Sequence, residues 1–457
     1  MSKVKTMEEM PLSKIHFKIF AYTSGSTFVD GYVLGIIAVA LSIMQPYFDM
    51  SPIVTGLIGA ATLAGMFVGG TFGGFLTDLV GRKKMFILNM LILAILSILQ
   101  FFVQDPLQLF MLRFFIGFAL GADYPISGAL MTEFSPKKHR GILLGGINGL
   151  WFIGYAVSFL AGYFMLSIGD ESWRWMLSSS VVPVVLLLIA RMNMPESPRW
   201  LAKQGREKEA NAIVKEIFGE HVIISDENES TEKTTFLDIF RNGYGKWVIF
   251  VSVFWSIQVM TTFSIGTYIP EILGQFGVND GSQEYLGSAV INILYLAGLL
   301  PILYLVEKYG RRPTLIWPLL ITSITLLTLG ATSGLNIPFA LILALFVIYG
   351  TFNTGMGAHQ WIYPYELFPT HIRATAGGFT TGISRIASAV STFVFPLILG
   401  NFGLANTLYI SGALLFIGFL VAVFMAPETK NMSISQASSI DSGRPQEDSF
   451  TQSKKVK

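Results

Sequence analysis

Long apolar stretches, separated by short polar breaks, run along almost the whole chain. Read by length, they mark twelve spans. The first six lie near 17–45, 52–78, 84–103, 106–134, 140–168 and 174–194. The second six lie near 246–274, 285–307, 314–333, 337–365, 372–400 and 404–426. Many exceed the roughly 18 apolar residues that signal a membrane crossing. Helices are expected throughout, because a lone strand cannot satisfy its backbone in hydrocarbon. A β-barrel would show short alternating segments instead. Glycine-dense runs such as Gly65 to Gly74 suit close helix contact.

The polar breaks alternate in charge. One set holds Lys14 and Lys18, Arg82-Lys83-Lys84, Lys137-Lys138-His139-Arg140, the long middle connection, Arg311-Arg312, Arg373 and the lysines of the tail. The other set is short, nearly free of Lys and Arg, and carries Asp49, Asp105, Asp170, Glu171 and Asp280. Positive charge marks the cytoplasmic side, so both termini and the middle connection are expected there. The reading divides the chain into a six-helix bundle over 1–194, a cytoplasmic linker over 195–245, a second six-helix bundle over 246–430 and a disordered tail over 431–457. Within the linker, a run to Phe218 is compatible with a helix in an otherwise solvated segment.

Composition narrows the class. Charged residues make up 13% of the 457 positions, against about 25% in an ordinary soluble domain. Net charge is +2, too small to suggest a nucleic-acid partner. There is no cysteine, which excludes disulfides and thiolate metal sites. Residues 1–15 show no short apolar region with a small-residue cleavage site, so the first apolar segment is expected to stay in the protein. No phosphate loop, metal-ligand spacing or nucleophile elbow occurs, so neither ATP hydrolysis, a metal, a cofactor nor an enzyme activity is expected.

The two halves repeat. Asp78-Leu79-Val80-Gly81-Arg82-Lys83-Lys84 recurs as Glu307-Lys308-Tyr309-Gly310-Arg311-Arg312-Pro313, shifted by 229. Glu133-Phe134-Ser135-Pro136 with Arg140 recurs as Glu366-Leu367-Phe368-Pro369 with Arg373, shifted by 233. Pro195-Glu196-Ser197 recurs as Pro427-Glu428-Thr429, shifted by 232. Two like halves imply a pseudo-twofold axis along the membrane normal, with the pathway between them. Each set places an acid beside cations that can bond it in bidentate fashion. Asp78, Arg82, Glu133, Arg140, Glu307, Arg311, Glu366 and Arg373 are therefore candidate latch residues, closing the cytoplasmic ends while the cavity faces outward. The simpler alternative is that the cations only mark topology.

These motifs resemble the major facilitator superfamily over residues 15–430. Gly73-x4-Asp78-x2-Gly81-Arg82-Lys83-Lys84 is similar to its loop signature, and Arg113 to Gly117 with Gly121 to its fourth-helix arginine motif. Pro195-Glu196-Ser197-Pro198-Arg199-Trp200-Leu201 resembles the sugar porter and metabolite:proton symporter branch, related to the organic ion carriers. The resemblance implies an all-α membrane protein of twelve helices in two pseudo-symmetric six-helix bundles.

Ionisable residues inside the spans are the best pointers to mechanism, since each costs about 2.5–3.5 kcal/mol or more at a helix centre. Asp30 lies in Phe28-Val29-Asp30-Gly31-Tyr32, where a carboxylate can bind a proton or brace helices. That run resembles the Asp-Gly-Tyr-Asp of aromatic acid and metabolite symporters, with Val33 where their second Asp stands. Arg113 and Asp123 share the fourth span about 15 Å apart, so each needs a partner elsewhere; Asp30 is the candidate for Arg113. The resemblance implies a proton-linked role for Arg113, with a fixed ion pair as the alternative. Asp123 is a second candidate proton site or substrate contact, next to Tyr124. Arg385, in the eleventh span, suits a grip on an anionic group or a bridge to an acid such as Asp30. Tyr124, Asn148, Gln258, Asn353, Gln360 and Trp361 complete a candidate cavity, together with Trp151 and Tyr268. His359 reads as structural.

The expected activity is secondary active transport by alternating access: proton-coupled uptake of a small polar metabolite, an organic or sugar acid. A sugar or polyol porter, with or without protons, is the alternative, and a non-transporting membrane sensor a more distant one. The expected partners are the substrate, protons and the lipid bilayer, and the expected state a monomer in the cell inner membrane.

Overall fold

The computed structural model describes residues 5–6, 10–136, 140–192, 194–219, 222–223, 236–241, 243–276, 283–335 and 337–430, with positions 432 and 437. The tail expected to be disordered, 431–457, lies almost wholly outside the described residues. The first half holds α1 (Lys14–Tyr47), α2 (Pro52–Val80), α3 (Arg82–Leu99), α4 (Pro106–Phe134), α5 (Arg140–Met165), and α6 (Ser172–Ser178) with α7 (Val181–Met192), which together form the sixth span. After α8 (Pro198–Lys203) and α9 (Glu207–Phe218), the second half holds α10 (Tyr244–Thr267), α11 (Ile269–Gln275), α12 (Gln283–Tyr309), α13 (Arg311–Thr332), α14 (Phe339–Met356), α15 (His359–Leu367) and α16 (Thr370–Met425).

Ten described helical segments are long and apolar enough to cross a bilayer. One of them lies in α16, which bends at Gly403, where φ is 77°, and carries two spans; α12 supplies the remaining one. The fold is thus twelve spans in two six-helix bundles. Their outward faces are apolar, as lipid requires. In α3, Leu88, Leu91, Ile95 and Ile98 are exposed, while Phe86, Met90 and Leu93 are buried. That is the reverse of a soluble helix, whose outer face is polar.

Glycine sets the closest contacts. A Cβ on Gly65 or Gly69 would overlap the carbonyl of Phe114 or Phe118 on α4, and one on Gly117 that of Thr62 on α2. Spans 2 and 4 therefore pack backbone to backbone, as small-residue stripes in membranes allow.

The inner end is taken here as the one carrying the middle connection, the outer end as its opposite. The halves meet toward the outer end. Tyr268 donates its hydroxyl to the Thr55 carbonyl across the interface at 3.4 Å and to Thr392 at 3.1 Å in its own half. Gly56 faces the Phe393 carbonyl, and Gly382 faces Phe67. Further inward, Gly377 and Gly378 have nothing among the described residues within 4 Å of where a Cβ would stand. The described glycine contacts between spans 2 and 11 thus lie at Gly56 and Gly382 and not at the inner end. Tyr268, expected among cavity residues, instead helps to close the outer end.

The described part of the middle connection packs onto the helices. Val214 and Phe218 of α9 join Ile19, Met85 and Phe134 in one apolar cluster. Strand β1 (Lys5–Thr6) pairs in parallel with β2 (Val222–Ile223). A short 3-10 helix, Phe236–Phe240, sets Phe236 and Phe240 edge-on to Phe379 of α16 at 5.4 and 5.6 Å. The amphipathic face of α9 is what the charge-rich composition of this segment concealed.

Candidate transport site

Asp30 lies deep in α1 at 1% exposure. Its Oδ2 accepts a hydrogen bond from the indole Nε1–H of Trp151, at 2.8 Å. Trp151 stands opposite because α1 and α5 touch closely: a Cβ on Gly31 would overlap the Trp151 carbonyl, and one on Gly154 the Phe28 carbonyl. Trp151 stacks on Tyr155, with centroids 5.0 Å apart and planes at 16°.

Among the described residues no hydrogen bond or ion pair joins Arg113 to Asp30, its candidate partner. Arg113 Nη2 donates to the carbonyl of Val33 at 3.1 Å. Val33 lies about 4.5 Å along the helix from Asp30, so the guanidinium meets the main chain one turn beyond the carboxylate. Arg113 is 1% exposed, and its Nε and Nη1 have no hydrogen-bond partner among the described residues.

Asp123 is closed on Arg191, near the end of the sixth span. The two carboxylate oxygens take Nη1 and Nη2 at 3.2 Å each. Arg191 Nε and Nη2 also donate to the Tyr22 carbonyl at 3.1 and 2.9 Å, and Nη2 donates to Ser26 Oγ. The guanidinium lies 3.8 Å over the ring of Phe86. One ion pair thus ties spans 1, 3, 4 and 6 together. Sequence reasoning missed Arg191, because an arginine ending a span reads as a topology marker.

In the second half, Gln258 of α10 donates Nε2 to Thr262 Oγ1 at 3.0 Å and to the Asn353 carbonyl at 3.2 Å. Asn353 Nδ2 donates to Thr262 Oγ1 at 2.7 Å, and Gln360 Nε2 donates to Gln258 Oε1. These amides do come together, joining spans 7 and 10. Arg385 sets its guanidinium carbon 5.9 Å from the ring centroid of Phe263. Phe263 in turn meets Trp151 of the other half edge-on, at 5.9 Å and 89°. Arg385 therefore reaches the Asp30 region through two aromatic rings. The side chains of Tyr124, Asn148 and Trp361 lie outside the described residues. His359 is buried and shares hydrogen bonds with Thr314 Oγ1 at 3.1 Å and the Arg311 carbonyl at 3.0 Å.

At the inner end, the side chains of Asp78, Glu133, Arg140 and Glu307 lie outside the described residues. Arg311 Nη2 bonds Glu366 Oε1 at 3.0 Å, within the second half. Arg373 Nε donates to the Phe368 carbonyl at 3.0 Å. Glu196 takes the backbone N–H groups of Arg82 and Lys83, both at 3.1 Å. Glu428 takes those of Arg311 and Arg312 at 3.0 and 3.1 Å. Each glutamate thus caps the N-terminus of the third or ninth span from the far end of its own half. The caps sit on Gly81 and Gly310, where φ is 104° and 100°. Only glycine takes that conformation cheaply. The repeated Pro-Glu-Ser and Pro-Glu-Thr runs were the available signal.

Twelve spans in two like halves, with ionisable groups turned inward, define a multi-pass membrane transporter. The sequence pattern of the sugar (and other) transporter family matches residues 18–440, and the chain belongs to that family, within the major facilitator superfamily. Its members are transporters rather than enzymes. The chain is 38% identical over 440 residues to the putative metabolite transport protein YaaU of Escherichia coli, covering 96% of this chain and 98% of that protein. It is 28% identical over 426 residues to an arabinose-proton symporter of Bacillus subtilis, covering 89% and 90%. It superposes on a partially occluded, inward open xylose transporter XylE of E. coli with a TM-score of 0.79 at 22% identity, covering 92% and 100%.

Proposed function

We propose that this transporter couples proton entry to uptake of a small polar metabolite, an organic or sugar acid, by alternating access. The observation that carries the reading is the Asp30 carboxylate, 1% exposed and held by Trp151 where the two halves meet. Asp30 takes up the proton, and Arg113, one turn away with donors to spare, supports it. Arg385 holds the anionic group of the substrate, and the Gln258, Asn353 and Gln360 cluster bonds its hydroxyls. Asp123, paired with Arg191, serves chiefly as a brace in this state. Protonation drives uptake only through its different free energy in the two states. The charge alternation of the loops supports cytoplasmic termini in a cell inner membrane.

The amide cluster also favours a second reading, a porter of neutral sugars or polyols. A thermal-shift panel on the purified protein, comprising D-glucuronate, D-galacturonate, benzoate, D-xylose, L-arabinose and myo-inositol, separates them. An acid is expected to stabilise the wild type, and Arg385→Ala to lose that stabilisation while folding normally. Unchanged affinity for the acid in a folded Arg385→Ala protein overturns the anion assignment, and stabilisation by the neutral compounds alone favours the second reading.

A further inference from the structure

Trp151 stands where two contacts of different kinds meet. Its indole N–H holds Asp30 Oδ2 at 2.8 Å, within the first half. Its ring abuts Phe263, which belongs to the second half. The close approach of α1 and α5 at Gly31 and Gly154 makes the main chains carrying Asp30 and Trp151 move as one body. Rotation of the indole is then what makes or breaks the bond. Tyr155 and Phe152 flank the ring from its own half, both at 5.0 Å, and Phe263 is the ring that meets it from across the interface.

We propose that Trp151 is a positioning residue that couples proton binding at Asp30 to the approach of the two halves, because its indole is seated on the carboxylate only while Phe263 walls it in. The proposal rests on the reading of Asp30 as the proton site. The indole N–H donates and cannot accept. A bond from it is stronger to a carboxylate than to a carboxylic acid, so a seated indole favours the ionised form. When the outer ends part, Phe263 withdraws, the indole is free to turn, and Asp30 takes a proton from outside. When they close, as here, the indole returns and the proton leaves toward the inner end. Linkage makes the effect reciprocal: a protonated Asp30 opposes seating of the indole to the same degree.

The charged groups on the helices packed against α1 take the following places among the described residues, with the side chains of Glu133 and Arg140 outside them. Arg113 bonds the Val33 carbonyl, Asp123 and Arg191 close on each other, and Arg174 bonds the carbonyls of Phe101 and Val103. Glu271 lines a small pocket with Ser42 and Gln45 near the outer end. Lys246 lies over the ring of Trp247 near the inner end. The side chain of Asp78 lies outside the described residues.

Infrared difference spectroscopy of the lipid-reconstituted protein, titrated with pH, reads the Asp30 carboxyl directly. Its band is assigned by its loss in Asp30→Asn. Trp151→Phe keeps a ring between Tyr155 and Phe263 but lacks the N–H. It is expected to move the titration by about one pH unit to the alkaline side of the wild-type curve. Phe263→Leu leaves both bonded groups in place and is expected to move it the same way by less, which provides a reading if Trp151→Phe does not fold. A curve from either folded variant that overlays the wild type overturns the proposal and leaves Asp30 as the proton site. If the wild type shows no titrating band that Asp30→Asn removes, the proton-site reading and the proposal fall together.

Discussion

A buried charge survives only where the fold has arranged partners for it, and the arrangements at Asp30, Arg113 and Asp123 differ in kind. Asp123 and Arg191 satisfy each other and are anchored further on Tyr22 and Ser26. Removing one member of such a pair strands the other. Arg191→Met is expected to destabilise the protein by about 3–5 kcal/mol, seen as a lowered thermal midpoint of the purified protein. The double variant Arg191→Met, Asp123→Leu should recover much of the loss. A single variant as stable as the wild type would contradict the brace. Among the described residues Arg113 bonds the main chain through Nη2, and Asp30 Oδ2 accepts from the neutral indole of Trp151; these contacts fit the proposed change of state at Asp30. The charges themselves were legible in the sequence as interruptions of apolar runs. Their partners were not, because they lie 68 residues away for Asp123 and 121 for Asp30, and no local spacing encodes such a contact.

Among the elements, the third and ninth spans begin in the same unusual way. Neither has a capping side chain of its own, since glycine occupies the cap. A carboxylate delivered from the end of the same half replaces it, satisfying orphan N–H groups and complementing the helix dipole. Glu428→Gln is expected to lower stability by about 1 kcal/mol. Gly310→Ala should lower it further, because a Cβ there would collide with the Glu428 carboxylate as well as strain the backbone. Thermal unfolding of the two variants checks both, and a Glu428→Gln midpoint equal to the wild type would remove the cap from the account. Span positions and the internal repeat were readable from apolar length and recurring motifs. The interruption of the tenth span after Met356 was not, whereas the kink at Gly403 falls where the apolar pattern divides the eleventh span from the twelfth. Hydropathy averages over a local change of direction such as that after Met356. The repeated glutamates were visible too, but their role needed the third dimension.

For the molecule as a whole, the described contacts between the halves gather toward the outer end, an arrangement that fits one state of the proposed alternating-access cycle. The transporter class followed from length, composition and repetition, which are global properties of a sequence. The candidate substrate contacts are a few side chains drawn from distant spans, and there the sequence narrowed the candidates without ordering them. Energy coupling is the claim on which the rest depends. Its most direct test is uptake into proteoliposomes of whichever compound of the panel stabilises the protein, with and without an inward proton gradient. The wild type is expected to concentrate that compound inside only when the gradient is imposed, and Asp30→Asn is expected to do no more than equilibrate it. Gradient-independent equilibration by the wild type, or undiminished accumulation by Asp30→Asn, would contradict the account.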